Sequence, residues 1–196
     1  MIGDNAGGYG GADVIVTSGT VNGSVYGDVA SGVGAGDYIE NKGTIAGSMY
    51  GDHGGSGIGG DDVFVNIGTV QTNIDGEGGN DLIYNFGTVE GMILGGDGND
   101  HFIFQPGFSG GADNTLAIDG GNGTDTLEFM WTFIDANAEA QFTNALDSAN
   151  PTNASVTVDG QTVNFTNFEN IIHTTFVVDA FDCPQGTIAN DNIICA

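Results

Sequence analysis

The sequence predicts an all-β fold: a right-handed parallel β-solenoid of about five to six coils with a small carboxyl-terminal α/β cap. Three observations predict it. Glycine-rich turns ending in Asp recur in register. A Gly-Thr-hydrophobic segment recurs between them. Apolar residues alternate with polar ones through both.

The Asp turns come first in each repeat. They read GYGGAD to Asp13, GVGAGD to Asp37, GIGGDD to Asp62, GEGGND to Asp81, GGDGND to Asp100 and GGNGTD to Asp125. Successive spacings of the closing Asp are 24, 25, 19, 19 and 25 residues. Two residues after each Asp stands Ile15, Ile39, Phe64, Ile83, Phe102 or Leu127, an apolar residue that starts a strand and points inward. The longer coils place their extra residues before the Asp turn, as in residues 28–31 and 53–56.

The other half of each repeat reads SGTVNGSVYGD from Ser18, KGTIAGSMYGD from Lys42, IGTVQTNIDG from Ile67 and FGTVEGMILGG from Phe86. With Ile15 and its equivalents inward, period-two alternation makes Thr17, Asn41, Asn66 and Asn85 inward as well. Stacked amides at such a corner can hydrogen-bond from coil to coil. Val21, Ile45, Val70 and Val89, then Val25, Met49, Ile74 and Ile93, complete the predicted core. No coil buries such a narrow face alone, so stability must come from stacking.

The nonapeptide GGDGNDHFI at Gly95–Ile103 fits G-G-x-G-x-D-x-U-x, with U a large apolar residue. It resembles the calcium-binding repeats of RTX (haemolysin-type) proteins, which wind into a β-roll. The last three turns fit that motif; the first three depart from it, because Tyr9, Val33 and Ile58 stand where a small residue is expected. The Gly-Thr segments are instead similar to turns of autotransporter-type β-helices, which puts calcium on one edge only. The resemblance implies several calcium ions held by carboxylates and backbone carbonyls, since calcium takes hard oxygen ligands. The side chains implied are Asp81, Asp97, Asp100 and Asp125, then Asp62, Asp37 and Asp13. Asp119, Asp75, Asp52 and Asp28, each entering a turn, are second contributors. Carbonyls of Gly76, Gly78, Gly95, Gly96, Gly98, Gly120, Gly121 and Gly123 supply the rest. For each Asp the plain alternative is a turn former with no ion.

Composition narrows the partners. One basic residue against 26 acidic gives a net charge of −25, so nucleic acid and anionic membrane surfaces are poor partners. No apolar run is long enough for a membrane span, so no membrane insertion is expected. Met1-Ile2-Gly3-Asp4 does not begin a secretory leader. Either the chain is a piece of a longer or processed protein, or its export does not use the amino terminus. The RTX resemblance implies the second: type I secretion and an extracellular or cell-surface location. Cys183 and Cys195 bracket CPQGTIANDNIIC; a disulfide across this loop would fit an oxidising compartment, and two free thiols are the alternative.

Residues 1–131 are read as the calcium-binding solenoid and 132–196 as a capping region. Ile134, Ala138, Phe142 and Leu146 have helical spacing, ended by Asn150-Pro151. SVTVDGQTVNF reads as a β-hairpin around Asp159-Gly160, and FTNFENIIHTTFVV as further strand. The Phe168–Ile171 stretch resembles segments downstream of RTX repeats. On the outward side, Val14, Val16, Val63, Val65, Leu82, Tyr84 and Ile103 would form an apolar stripe on one sheet, covered either by the cap helix or by another molecule.

The expected function is structural: a secreted, calcium-stabilised solenoid acting as a self-associating cell-surface, matrix or filament subunit, or as an adhesin spacer. It would form a homo-oligomer or filament through its ends or the apolar sheet face. The alternative is an RTX folding and secretion module from a larger secreted enzyme, toxin or adhesin. Catalysis is not expected. β-Helical polysaccharide lyases resemble this fold but generally use Arg or Lys, and Lys42 is the one basic residue here. Two carboxylates suffice for glycoside hydrolysis, but the acids here recur at turn positions. The outward row Thr20, Thr44, Thr69 and Thr88 could suit ice binding; one Thr per coil beside Gly reads more simply as a turn feature.

Overall fold

The computed structural model describes residues 1–4, 9–29, 33–53, 59–105, 110, 114–133, 136–147, 149–158 and 160–177. Cys183, Cys195, Ile58 and Asp159 lie outside them. The fold is mostly β with one helix among the described residues, and its sheets are built of parallel strands apart from one antiparallel pair at the end of the first sheet. That much of the expected architecture is observed.

Among the described residues the strands form three sheets. The first runs β1 (Ile2–Asp4), β4 (Val25–Asp28), β7 (Met49–Asp52), β10 (Ile74–Asp75), β13 (Met92–Asp97), β15 (Thr115–Asn122), β18 (Gln161–Thr166) and β17 (Asn153–Val158). The second runs β2 (Val14–Thr17), β5 (Tyr38–Asn41), β8 (Val63–Asn66), β11 (Leu82–Asn85), β14 (His101–Phe104), β16 (Thr126–Phe133) and β19 (Asn170–Val177). The third is β3 (Thr20–Val21), β6 (Thr44–Ile45), β9 (Thr69–Val70) and β12 (Thr88–Val89). From β2 to β13 the chain visits the second, third and first sheets in turn.

The register follows the sequence repeats. Ile15 pairs with Ile39, Ile39 with Phe64, Phe64 with Ile83, Ile83 with Phe102, and Phe102 with Leu127. All of these are buried and belong to one core cluster with Ile45, Val70, Val89, Val25, Met49, Ile74 and Ile93. Val21, at the open amino-terminal edge of the third sheet, is only partly buried.

The predicted amide column is present at the corner after the second sheet. Thr17 Oγ1 donates to Asn41 Oδ1 at 2.7 Å, Asn41 Nδ2 to Asn66 Oδ1 at 2.9 Å, and Asn66 Nδ2 to Asn85 Oδ1 at 2.8 Å. Phe104 occupies the next position in register, so the column stops there and Asn85 Nδ2 is buried without a partner.

The carboxyl-terminal strands join the same sheets. β16 runs across residues 131 and 132, β18 pairs in parallel with β15, and β19 pairs in parallel with β16. The predicted hairpin is the antiparallel β17–β18 pair, with Gly160 at φ 74° in its turn. A residue without Cβ takes that conformation freely. Helix α1 (Ala136–Asp147) follows β16. Its Phe142 and Leu146 are buried; Phe142 meets Phe129 edge-on at 5.7 Å and lies 6.2 Å from Trp131. Phe129 and Trp131 carry the inward row of β16, so the helix seals the end of the core. Its main contacts among the described elements are with β19, β17 and β16.

The outward stripe is graded rather than uniform. Val14 and Val16 are exposed, Val63, Val65, Leu82 and Tyr84 are half-buried, and Ile103 is buried at 7% exposure. Tyr38 and Glu40 fall in the same rows and make the stripe discontinuous.

Candidate metal centre

The six closing Asp residues lie in one column. Each sits one residue before a strand of the second sheet, so strand register stacks them. The backbone N–H of Asp13 donates to Asp37 Oδ1 at 2.7 Å, and that of Asp37 to Asp62 Oδ1 at 2.7 Å. Asp62, Asp81 and Asp100 N–H groups donate to Asp81, Asp100 and Asp125 Oδ1, each at 2.8 Å. Asp37, Asp62, Asp81, Asp100 and Asp125 are all no more than 3% exposed.

Each of these five carboxylates therefore has one oxygen bound by the coil before it. Its Oδ2 is buried and makes no hydrogen bond. That oxygen lies over the glycine that opens the same turn. A Cβ built on Gly27, Gly51, Gly76, Gly95 or Gly120 would collide with Oδ2 of Asp37, Asp62, Asp81, Asp100 or Asp125 respectively. The same added Cβ would strike a backbone carbonyl of the next coil: Gly51, Gly76, Gly95, Gly120 and Asn167 in that order. A column of carbonyl oxygens thus runs beside the column of Oδ2 atoms.

Burial strips water from these carboxylates and pushes their proton affinity up. Asp62 is raised to about 9, Asp81 to about 8, Asp37 to about 7 and Asp100 to about 6; Asp125 is raised too. Desolvation is the largest cause in each, the accepted backbone N–H opposes it, and neighbouring carboxylates add to it. No base relieves the column. Lys42 pairs with Glu40 at 2.9 Å, and His53, His101 and His173 meet Glu77, Glu128 and Asp147 at 3.5, 3.0 and 3.3 Å.

These features fit a hard divalent cation: unpaired buried carboxylate oxygens, converging carbonyls and uncompensated charge. The described residues hold no group of three His, Cys, Asp or Glu side chains placed to cage an ion. The column supplies one carboxylate per repeat, and the other oxygens beside each Oδ2 are backbone carbonyls.

The other anticipated residues have different surroundings. Asp97 is exposed and its Oδ1 accepts from Asn122 Nδ2 at 2.8 Å. Asp75 and Asp119 are half-buried; each accepts the N–H two residues on, from Glu77 at 3.1 Å and Gly121 at 3.2 Å, and Asp119 also accepts from Asn167 Nδ2 at 2.8 Å. Gly96, Gly98, Gly121 and Gly123 have positive φ, and a methyl on Gly98 or Gly123 would collide with the carbonyl of Gly79 or Gly98. Gly78 bridges to Asp97 and is buried. Gly76, Gly95 and Gly120 floor the Oδ2 column as described.

One feature escapes the motif. Glu169 is the last rung: its Oε2 accepts the Asp125 N–H at 2.7 Å. The signal was an acid two residues before the strand residue Ile171, as Asp125 precedes Leu127. Of the four acids anticipated as second contributors, Asp28 and Asp52 are buried where Asp75 and Asp119 are not.

Compared with family models, curated proteins and solved structures, the chain matches none of them. No helix among the described residues is long and apolar enough to cross a membrane.

Proposed function

We propose that this chain is a secreted, calcium-stabilised β-solenoid of the RTX type that serves as a self-associating structural subunit of a cell surface, matrix or filament. The carrying observation is the column of buried, half-satisfied carboxylates beside stacked carbonyls, with no basic side chain against it. The order in which the chain visits its three parallel sheets supports a right-handed winding. In this reading the residues do the following. Asp37, Asp62, Asp81, Asp100 and Asp125 hold a cation through Oδ2 while Oδ1 fixes the neighbouring coil. The glycine and Asn167 carbonyls complete the oxygen shell. The bound ions supply positive charge that cancels repulsion along the column. Each occupied site adds about 2.7 kcal/mol when calcium is about 100 times its dissociation constant.

Self-association is supported at the amino-terminal side. β2 and β3 are end strands of their sheets, and β2 exposes Val14 at 76% and Val16 at 48%. Such an edge can accept a further parallel strand. The test is circular dichroism and light scattering of the chain in EGTA and then in millimolar calcium. Folding and particle growth that both follow the ion are expected. A β-rich signal indifferent to chelation sinks the calcium role, and a strict monomer at high protein and calcium concentrations favours a module of a larger protein.

A further inference from the structure

We infer that Asp28 and Asp52 form a second cation row, separate from the column of closing Asp residues and placed in the long turns of the amino-terminal half, where Asp4 continues the backbone register before Asp28. They pair in register, one strand apart, at the end of β4 and β7. Asp28 is 0% and Asp52 8% exposed. Asp28 Oδ2 accepts the Ala35 N–H at 2.9 Å, and Asp52 Oδ2 accepts the Gly60 N–H at 2.6 Å. Each carboxylate thus ties the neck of its own turn, in the same way in both coils. In each, Oδ1 is buried and makes no hydrogen bond.

The surroundings are shaped for these groups. Gly10 lies over Asp28 and Gly34 over Asp52, both from the turn of the preceding coil, so closely that a Cβ on either would collide with the carboxylate. No basic side chain among the described residues contacts them: Lys42 and the three His residues are engaged with Glu40, Glu77, Glu128 and Asp147. Two like charges about 4.8 Å apart, out of water and each with an empty lone-pair side, call for a shared positive partner.

The acid also tracks the turn. From this position to the closing Asp the count is 9 residues for Asp28–Asp37 and 10 for Asp52–Asp62. In the short turns it is 4, and the position is Glu77, Gly96 or Gly121, each with positive φ. Glu77 is exposed and faces His53, so the row ends there. The donors the row offers are carboxylate oxygens, which select a hard divalent cation over a transition metal.

This inference shares with the functional proposal the premise that cations offset the acids, but it uses different residues, and one experiment separates them. Calcium bound per chain is measured by equilibrium dialysis and atomic emission for the native chain, for Asp28→Asn/Asp52→Asn and for Asp81→Asn/Asp100→Asn. The first variant is expected to lose at least one ion per chain while keeping those of the column. It should melt lower than the native chain in calcium and no lower in EGTA. An unchanged ion count in that variant overturns the second row and leaves the column standing if the other variant loses ions. A native chain that binds no calcium overturns both. Should the first variant fail to fold, terbium bound to the native chain decides. Tyr26 and Tyr50, stacked at 5.1 Å two residues before the row, should sensitise its emission. Calcium should compete that signal away, and Tyr26→Phe/Tyr50→Phe should lose it. Terbium emission indifferent to both tyrosines overturns the inference.

Discussion

Asp81→Asn should change stability in opposite directions with and without calcium. Asp81 is 2% exposed, its Oδ1 accepts the Asp62 N–H at 2.8 Å, and its Oδ2 is unpaired against Gly76 with the Gly95 carbonyl beside it. Asparagine keeps the accepting oxygen and places an N–H₂ where Oδ2 was, next to a carbonyl that can accept from it. Without calcium the wild-type carboxyl is raised from 3.8 to about 8. At neutral pH it must take up a proton on folding, which costs at most about 4 kcal/mol at 1.36 kcal/mol per unit. The amide removes that cost, so the variant should gain up to that amount in EGTA. With calcium the variant lacks a charged ligand, and losing one site at about 100 times its dissociation constant costs about 2.7 kcal/mol. Urea unfolding followed by circular dichroism and the buried Trp131 reads both conditions. A variant destabilised equally in EGTA and in calcium would refute the reasoning, because the carboxylate would then matter only as a hydrogen-bond acceptor.

Chelated wild type should lose stability as pH rises. Carboxyls raised in the folded state contribute most below their unfolded value near 4, and that contribution fades through about 6 for Asp100, 7 for Asp37, 8 for Asp81 and 9 for Asp62. Melting temperature against pH in EGTA should fall across this window and be flatter or reversed in calcium; a rise in EGTA counts against a buried column. Asn66→Ala should cost about 2–4 kcal/mol in urea titration, because it breaks the column at two hydrogen bonds, leaves Asn41 Nδ2 only its 3.2 Å bond to the Thr69 carbonyl, takes the donor from Asn85 Oδ1 and opens a cavity. Asn85→Leu should cost less, since it also removes the buried amide nitrogen that has no partner. Phe142→Ala should cost about 3–5 kcal/mol and red-shift Trp131 emission as α1 leaves the core end.

The sheet register and the core were legible because two periods coincide. Residues two after each closing Asp, and the Thr17-Asn41-Asn66-Asn85 row, could be aligned by eye, and the strands pair in that alignment. The helix and hairpin were also legible, from spacing at Phe142 and Leu146 and from Asp159-Gly160. What stayed hidden depends on neighbouring coils. β1 is a three-residue strand without alternation that exists because β4 offers it an edge: Ile2 pairs with Tyr26. Glu169 sits in a turn with no RTX spacing and becomes a rung only because Asn170 pairs with Thr126. Asp75 and Asp52 look alike as acids entering a turn. Their different burial follows from one residue of offset about the turn-opening glycine, Gly76 after Asp75 and Gly51 before Asp52. Alternation puts Ile103 outward, yet it is buried, because alternation along one strand says nothing about what packs outside it.

The three columns of this fold divide their labour by what each does at its end. The amide column passes a neutral hydrogen bond from coil to coil, so stopping it at Phe104 strands a single N–H. The carboxylate column passes a hydrogen bond as well, but every rung also brings a charge. At an effective dielectric of about 20, neighbouring rungs about 4.8 Å apart repel by about 3.5 kcal/mol, and that repulsion recurs with each added coil. An amide column can therefore lengthen freely, whereas a carboxylate column can lengthen only if positive charge is added at the same rate. Protons can supply it below the raised values of about 6 to 9, and divalent ions above them. Protons occupy the carboxylates one at a time and leave the carbonyl column without a partner. A divalent ion between two repeats would answer both columns at once, which is the physical ground of the calcium proposal.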